Sequence, residues 1–530
     1  MTTVRNSPGN PERVQLKRKL RKRRRMIKLI AKISWLLLLA ASIGIYLVIS
    51  HFGLDKGSLR TIRIVLIILN LLLAVFAWLP SIRNSGKVLQ SGLCLFLAAV
   101  MLFGIIDIPL LRKVVVRVPD EGTLNINAYV LADNSELAGV ENLAGKLVGI
   151  QKQLDSNNQI FAIKTINKEI QGEDIQTREF EDMYSSIDAL YRGEIDCILL
   201  NEEYVNILTD IDDYKDFESR TRIVYSCPIH IDLPIDTKVI ENLTKEPFVV
   251  GVIGSDDWNI SGIDAVKGYR SDVNILVFVN PNTKQILMIT IPRDAYVPLY
   301  GDRNMMDKLT HAPVNKGVQG WIDTVSSYFG IDINYYLRVN FSSLIDIVDG
   351  LGGIEIDNPY AFTTDVLFDH FRNPEKKSGT EYTSYHYEEG QIKLNGQQAL
   401  AYCRERHNVQ GGDMGRNRHQ AIVMKAIINK ICSVAIITKA SDLLKALEGK
   451  FASNISLGRE VTALVKYQLD GMYDWDLQSY SLSGTSAMAP SALAGKNKEL
   501  SMVMVSETSY NTAKKYISQL MAGEIIDVNK

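Results

Sequence analysis

The chain has 530 residues, 46% of them hydrophobic, and a net charge of −1. That length supports two or three domains with full cores, and the overall charge balance by itself names no partner. Five cysteines in a chain of this size exclude a disulfide-built scaffold.

Charge is unevenly placed along the chain. Residues 13–32 (RVQLKRKLRKRRRMIKLIAK) are densely basic, with Glu12 the nearest acid. Three apolar runs follow, Ile33–Ser50, Ile64–Leu79 and Val88–Ile106, each close to the ~20 residues that cross a bilayer as a helix. The second is the weakest, because it is short, follows Arg63 and contains Asn70. Two further runs and the lack of a small-residue cleavage site argue against a signal peptide. The basic arm, 1–32, belongs in the cytoplasm by the positive-inside rule. Lying against a membrane span, it is explained as a topology determinant that touches anionic headgroups rather than as a nucleic-acid tail. Three crossings within 33–112 then put the rest of the chain outside the cell, whereas two would leave it inside.

Residues 113–245 alternate strand and helix patterns. LAGKLVGIQ, DIQTREF and EIDCILL read as strands; QIFAIKTINKEI, MYSSIDALYRG and NEEYVNILTDI read as helices, the second closed by Gly193 and the third opening on Asn201. The pattern predicts a small α/β sandwich with a largely parallel sheet. LAGKLVGIQ followed by IDALYRGEIDCILLN resembles one lobe of the extracytoplasmic solute-binding proteins. A single lobe implies an accessory scaffold rather than a binding cleft. Cys197 and Cys227 are the first pair to check for a disulfide.

A second α/β domain is expected over 246–530. FVVGVIGSD reads as a strand breaking at Gly254; VNILVFVN and QILMITIP form a hairpin through PNTK. Both hairpin strands are apolar at nearly every position, which predicts a central sheet covered on both faces by helices. NFSSLIDIVDGLGG places Phe341, Leu344, Ile345 and Val348 on one helical stripe, either core packing or one wall of a lipid pocket, with Gly350 as the C′ residue. Beyond Ala421 come a long helix, the strands LQSYSL and SMVMVSE, and a final helix NTAKKYISQLMAG.

Leu394 to Gln420 carries the chemistry: LNGQQALAYCRERHNVQGGDMGRNRHQ holds Arg404, Arg406, Arg416 and Arg418 within fifteen positions. A short helix ending in an extended CRERH would set Arg404 and Arg406 side by side. Past a glycine turn, Arg416 and Gln420 would share a face in the first turn of a second helix. Guanidiniums held together repel by roughly 4 kcal/mol per pair at 4 Å and intermediate dielectric, so they either face water or enclose an anion. Upstream, Asp264 and Asp272 supply the hard oxygens that Mg²⁺ prefers. Arg293 and Asp294 sit at the far end of the hairpin, and Lys308 adds a cation. Carboxylates for a metal beside several arginines suit a pyrophosphate, whose charge they neutralise during phosphoryl transfer.

IPRDAYVP, DKLTHA, FSSLIDIVDGLGGIEID, GQIKLNGQQALAYCRERH and GDMGRNRHQ, in this order, resemble the LytR-CpsA-Psr (LCP) phosphotransferases, with the three spans and accessory domain of the capsule-assembly type. The resemblance implies an α-β-α catalytic domain outside a Gram-positive cell, in the cell membrane. It implies a polyprenyl-pyrophosphate-linked glycan as donor, held in a hydrophobic cavity, and peptidoglycan as acceptor of a capsule or teichoic-acid-like polymer. By motif, Asp264 and Asp272 match the magnesium aspartates, and Arg293, Arg404, Arg406, Arg416 and Gln420 the pyrophosphate set, to which Lys308 and Arg418 are added. His419 stands where many members carry arginine, with Arg418 as a compensating cation. Asp294 and Asp413 are the candidates for a base.

Rival readings are a lipid pyrophosphatase with water as acceptor and a non-catalytic binder of the lipid-linked glycan. A nucleotide enzyme lacks a GxxxxGK[ST] or GxGxxG loop, and Cys403 with His407 is one pair where zinc needs three or four ligands. SGTSAMAP, around Ser486, matches a protease nucleophile segment by chance.

Overall fold

In a computed structural model, the described residues are 11–51, 58–78, 84–114, 121–152, 155–208, 211–232, 235–255, 268–364, 367–368, 382–433, 451–455, 460, 462–471, 473–493 and 495–528. They form two compact units, Met1–Lys113 and Val114–Lys530. The first holds α1 (Pro11–His51), α2 (Ser58–Trp78) and most of α3 (Asn84–Val114). Among the described residues, two stretches are long and apolar enough to cross a membrane, Arg18–Leu47 and Asn84–Leu102. Asn70 of α2 is turned inward: it donates to Ser42 Oγ at 3.0 Å, and its carbonyl accepts the Trp35 indole N–H at 3.0 Å. A polar side chain in an apolar helix is tolerated where a neighbouring helix satisfies it.

Among the described residues, the second unit contains one sheet of five strands, one of six and several two-stranded ribbons. The five-stranded sheet joins β1 (Glu121–Leu131), β2 (Leu147–Gln151), β3 (Gln176–Phe180), β4 (Cys197–Asn201) and β5 (Thr221–Asp232) in the order β3-β2-β4-β1-β5. Helices α4 (Ser156–Glu169), α5 (Met183–Tyr191) and α6 (Glu202–Leu208) fall where the alternation placed them. Only β3, β2 and β4 are parallel, because β1 runs antiparallel to both β4 and β5. All five cysteines are free. Cys197 and Cys227 lie on strands separated by β1, about 10 Å apart at ordinary strand spacing, too far for a disulfide.

After the five-stranded sheet the chain runs through β6 (Phe248–Ser255), β7 (Ser271–Asn280), β8 (Gln285–Thr290), β9 (Tyr296–Pro298) and β10 (Met306–Lys308), then α7 (Gly317–Phe329), β11 (Tyr335–Asn340), α8 (Phe341–Gly350), β12 (Ile354–Asn358) and β13 (Gly390–Leu394). There follow α9 (Gly396–Arg404), α10 (Gly412–Cys432), β14 (Phe451–Ser453), β15 (Asp476–Ser481), β16 (Gly484–Ser491), β17 (Gly495–Val505) and α11 (Glu507–Met521). Six of these strands make one sheet in the order β14-β11-β6-β7-β8-β15; β9 pairs with β10, β12 with β13 and β16 with β17 in separate ribbons. Strand β7 shows why both hairpin strands are apolar throughout. Leu276 and Phe278 enter one core, while Ile275, Val277 and Val279 enter the core on the opposite face. The first of these cores also takes in Tyr204 and Leu208 of α6, so the accessory sheet and the central sheet share a buried interior.

Two local expectations change. Helix α8, capped by the Asn340 side chain on Ser343 N–H at 3.0 Å, runs through Gly350; the left-handed residues are Gly352 (φ 76) and Gly353 (φ 85), which place the turn two residues later. Strand β6 passes Gly254 and ends at Ser255 through a register shift rather than breaking.

Candidate active site

Strands β6, β8 and β11 run in one direction and β7 opposes them. The carboxyl ends of the three and the amino end of β7 therefore form one edge, where ligands gather in open α/β sheets. Asp272 is the second residue of β7, and Arg293 and Asp294 follow β8 by a few residues.

These groups form a chain of ion pairs. Arg293 Nη1 donates to Asp272 Oδ1 at 2.5 Å, Arg293 Nε lies 3.4 Å from Asp294 Oδ2, and Lys308 Nζ lies 3.2 Å from Asp294 Oδ1. Side-chain exposure is 18% or less at all four, so solvent screens these pairs far less than surface bridges. Burial alone would push the Asp294 carboxyl up; Arg293, Lys308 and Arg416 together hold it below the usual carboxylate range. Three cations thus keep Asp294 ionised, and it anchors both Arg293 and Lys308. Asp413, the other candidate base, lies in the first turn of α10, and its side chain is outside the described residues. So is the whole of Asp264.

The arginine stretch folds differently from the extended reading. Helix α9 continues through Arg404, and the chain leaves it at Glu405. The buried Glu405 carboxylate accepts from the amides of Arg406, His407 and Asn408 at 3.0, 2.8 and 3.0 Å. Three successive N–H groups on one oxygen wrap the segment into a turn instead of a strand. Arg404 and Arg406 thus diverge: the Arg404 guanidinium sits 4.7 Å from the Phe341 ring centroid, while Arg406 is exposed beside His407.

Gly411 (φ 88) and Gly412 (φ 54) then reverse the chain into α10. Because that helix starts at Gly412, Arg416 and Gln420 occupy its second and third turns, not the first; both are buried. Gln420 Nε2 approaches the Cys403 carbonyl at 3.5 Å, tying α10 to α9. Arg418 is exposed and donates to the Gln410 carbonyl at 2.5 Å. His419, 1% exposed, stacks on Tyr402 at 4.2 Å, so the two neighbours point in opposite senses and Arg418 does not replace it.

On α8, Val348 is wholly buried in a core with Leu351, Ile354 and Tyr402, and Ile345 packs against Gly396, where a side chain would meet the Ile345 backbone at 2.4 Å. Only Phe341 and Leu344 of the stripe keep partial exposure. Burial pushes the Cys403 thiol up to about 12. Ser486 is exposed on the ribbon strand β16.

The model of the LytR_cpsA_psr family matches residues 222–516, more than half of the chain. The chain belongs to the LytR-CpsA-Psr family. Polyisoprenyl-teichoic acid–peptidoglycan teichoic acid transferase TagU of Bacillus licheniformis is 33% identical over 255 residues, 48% of this chain and 71% of the relative. The protein of that name from Bacillus subtilis is 34% identical over 235 residues, 44% of this chain and 64% of the relative, so under two thirds of its length is matched. The crystal structure of B. subtilis TagV covers 53% of this chain and 99% of its own at 26% identity, with a TM-score of 0.42.

Two arginines of this LytR-CpsA-Psr domain escaped the sequence reading. Arg270 stands two residues before Asp272. Arg338, 2% exposed, lies with its guanidinium 3.6 Å from the Tyr269 ring centroid. A charged residue in the middle of the mostly apolar YYLRVN strand was the available signal. Among the described residues no group of three His, Cys, Asp or Glu could hold a metal unaided. Asp272, a single carboxylate beside cations suited to phosphate, fits an ion that completes its shell with water and substrate oxygens.

Proposed function

We propose that this chain is a membrane-anchored phosphotransferase that moves a glycopolymer phosphate from a polyprenyl-pyrophosphate carrier to peptidoglycan outside the cell. The observation that carries the reading is the convergence of Arg293, Lys308 and Arg416 on Asp294 beside Asp272, with Arg404 stacked on Phe341, at the carboxyl edge of a LytR-CpsA-Psr sheet. Relatives named as teichoic acid transferases support the donor and acceptor classes.

The acceptor hydroxyl would attack the phosphorus bearing the glycan; the bond to the distal phosphate would break, polyprenyl phosphate would leave, and the hydroxyl proton would pass to solvent. Arg293, Lys308, Arg404 and Arg416 would bind the pyrophosphate and offset the charge growing on the bridging oxygen. Asp272 would hold Mg²⁺, with Asp264 as the sequence's second ligand; the ion would neutralise phosphate charge as a Lewis acid. Three spans, α2 included, would place the catalytic domain outside the cell, a reading supported by the inward-turned Asn70.

The test uses the full chain in detergent with a prenyl-pyrophosphate-linked saccharide and peptidoglycan fragments, with and without Mg²⁺, followed by mass spectrometry. Glycan phosphate joined to the peptidoglycan fragment is the expected product. Free glycan phosphate alone would replace the transferase by a hydrolase, and tight binding without turnover would replace it by a binder.

A further inference from the structure

The ribbon β16–β17 enters none of the chemistry above, yet it touches Asp294 and the residue next to Lys308. Val503 N–H donates to the Asp294 carbonyl at 2.7 Å, and Val503 is bridged to Ala295. On the other side, Ser491 Oγ and the Leu493 N–H each reach Asp307 Oδ2 at 2.8 Å. The second oxygen of Asp307 accepts from Lys308 N–H at 2.7 Å and faces His311 Nδ1 at 2.9 Å. Tyr296 Oη on the Pro490 carbonyl and Ala492 N–H on the Met306 carbonyl, both at 3.1 Å, add to the seam.

Asp307 is fully buried and is the residue next to Lys308, whose ammonium completes the ion-pair chain to Asp272. A lysine ends in a compact charge on a flexible four-carbon stem. Its head keeps one place only if the backbone at its root is fixed. A buried carboxylate with four hydrogen bonds fixes that root, and a ribbon that also holds the Asp294 backbone sets the two charges at one separation.

We propose that the C-terminal ribbon is a positioning clamp for the pyrophosphate site: Asp307, held by Ser491 and Leu493, acts through Lys308, while Val503 holds Asp294. The proposal rests on the phosphotransferase reading for its kinetics. It makes Asp307 and Ser491 positioning residues, both fully buried and acting through Lys308.

A double-mutant cycle on the full chain in detergent tests it. Asp307→Asn and Ser491→Ala are each measured alone and combined with Lys308→Ala, reading kcat and KM for the prenyl-pyrophosphate-linked saccharide and the Kd for geranyl pyrophosphate. Asp307→Asn alone should lower kcat/KM about tenfold and Ser491→Ala about threefold. In the Lys308→Ala background both losses should vanish, because the group through which they act is gone. Equal losses in both backgrounds, or a folded Ser491→Ala protein with unchanged constants, would overturn the clamp. Should Asp307→Asn fail to fold, the Ser491→Ala cycle decides alone. Wild-type chain that binds geranyl pyrophosphate without transferring anything would strike the phosphotransferase reading only, and the cycle would then be read in Kd with the same criterion.

Discussion

Arg293 and Asp272 are bonded to each other at 2.5 Å, so a guanidinium assigned to phosphate and a carboxylate assigned to a metal form one unit. Neither group is a spectator awaiting ligand; each fixes the rotamer of the other through a charge-assisted bond. Asp272→Asn weakens that bond and removes the anionic oxygen a divalent cation needs. The Mg²⁺ concentration for half-maximal transfer should rise at least about tenfold. Chelation should silence the wild type and Mg²⁺ restore it. An Asp272→Asn enzyme with an unchanged Mg²⁺ requirement would remove Asp272 from the metal site.

Arg416 and Arg418 lie two apart in one helix and should behave oppositely. Arg416 is 9% exposed and acts on Asp294, whereas Arg418 is exposed and bonded to the Gln410 carbonyl. Arg416→Ala should cost about a hundredfold in kcat/KM, near 2.7 kcal/mol of transition-state stabilisation. Arg418→Ala should stay within about threefold. Steady-state kinetics of both variants settles it, and similar losses at the two positions would mean that Arg418 turns inward once substrate is bound.

Glu405 is the position where an acid serves a row of arginines structurally. Its Oε1 gathers three amides, and Glu405→Ala would leave them without a common acceptor in a site where the residue is 5% exposed. Loss of stability should be about 1–3 kcal/mol, with KM for the donor rising as the turn that follows Arg404 loosens. Glu405→Gln, which keeps an oxygen acceptor, should lose less. Denaturant titration of the three proteins would show equal stability if the turn were held by something else.

The parts of this protein that repeat along the chain were readable: strand and helix alternation in the accessory region, doubly covered strands in β7 and β8, and the order of short motifs around the arginines. The parts that failed depend on one side chain choosing its partner. Nothing in the spacing of CRERH says that Glu405 will fold back on its own following amides, so Arg404 and Arg406 looked like neighbours on a strand. Gly350 and Gly352 are equally good helix terminators by composition, and only the hydrogen bond from Gly353 to Val348, at 2.9 Å, selects the later stop. The ribbon's grip on Asp307 joins positions more than 180 residues apart, a distance at which no local pattern survives. Arg338 was legible in principle, as a charge inside a mostly apolar strand, but it matches no motif.

His419 should make the fold sensitive to acid. Its ring is stacked between aromatic side chains, with Nδ1 facing the Tyr402 carbonyl at 3.2 Å and Nε2 facing the Tyr360 hydroxyl at 3.2 Å. That geometry suits a neutral imidazole that donates from Nδ1 and accepts at Nε2. Burial, opposed by the Tyr402 carbonyl and aided by Arg418, pulls its pKa down to about 4. An unfolded chain would protonate this histidine near 6.5, so between the two values the unfolded state binds more protons. Stability is therefore complete above about pH 6.5, declines as pH falls towards 4 and levels off below it; a gap of about 2.5 units corresponds to about 3 kcal/mol at most. His419→Gln keeps a polar side chain without the titration. Unfolding free energies of the two proteins, measured in denaturant at pH 7 and pH 4.5, should fall further for the wild type by about 2–3 kcal/mol. Parallel declines would mean that other groups carry the acid response and that His419 is already charged in the fold.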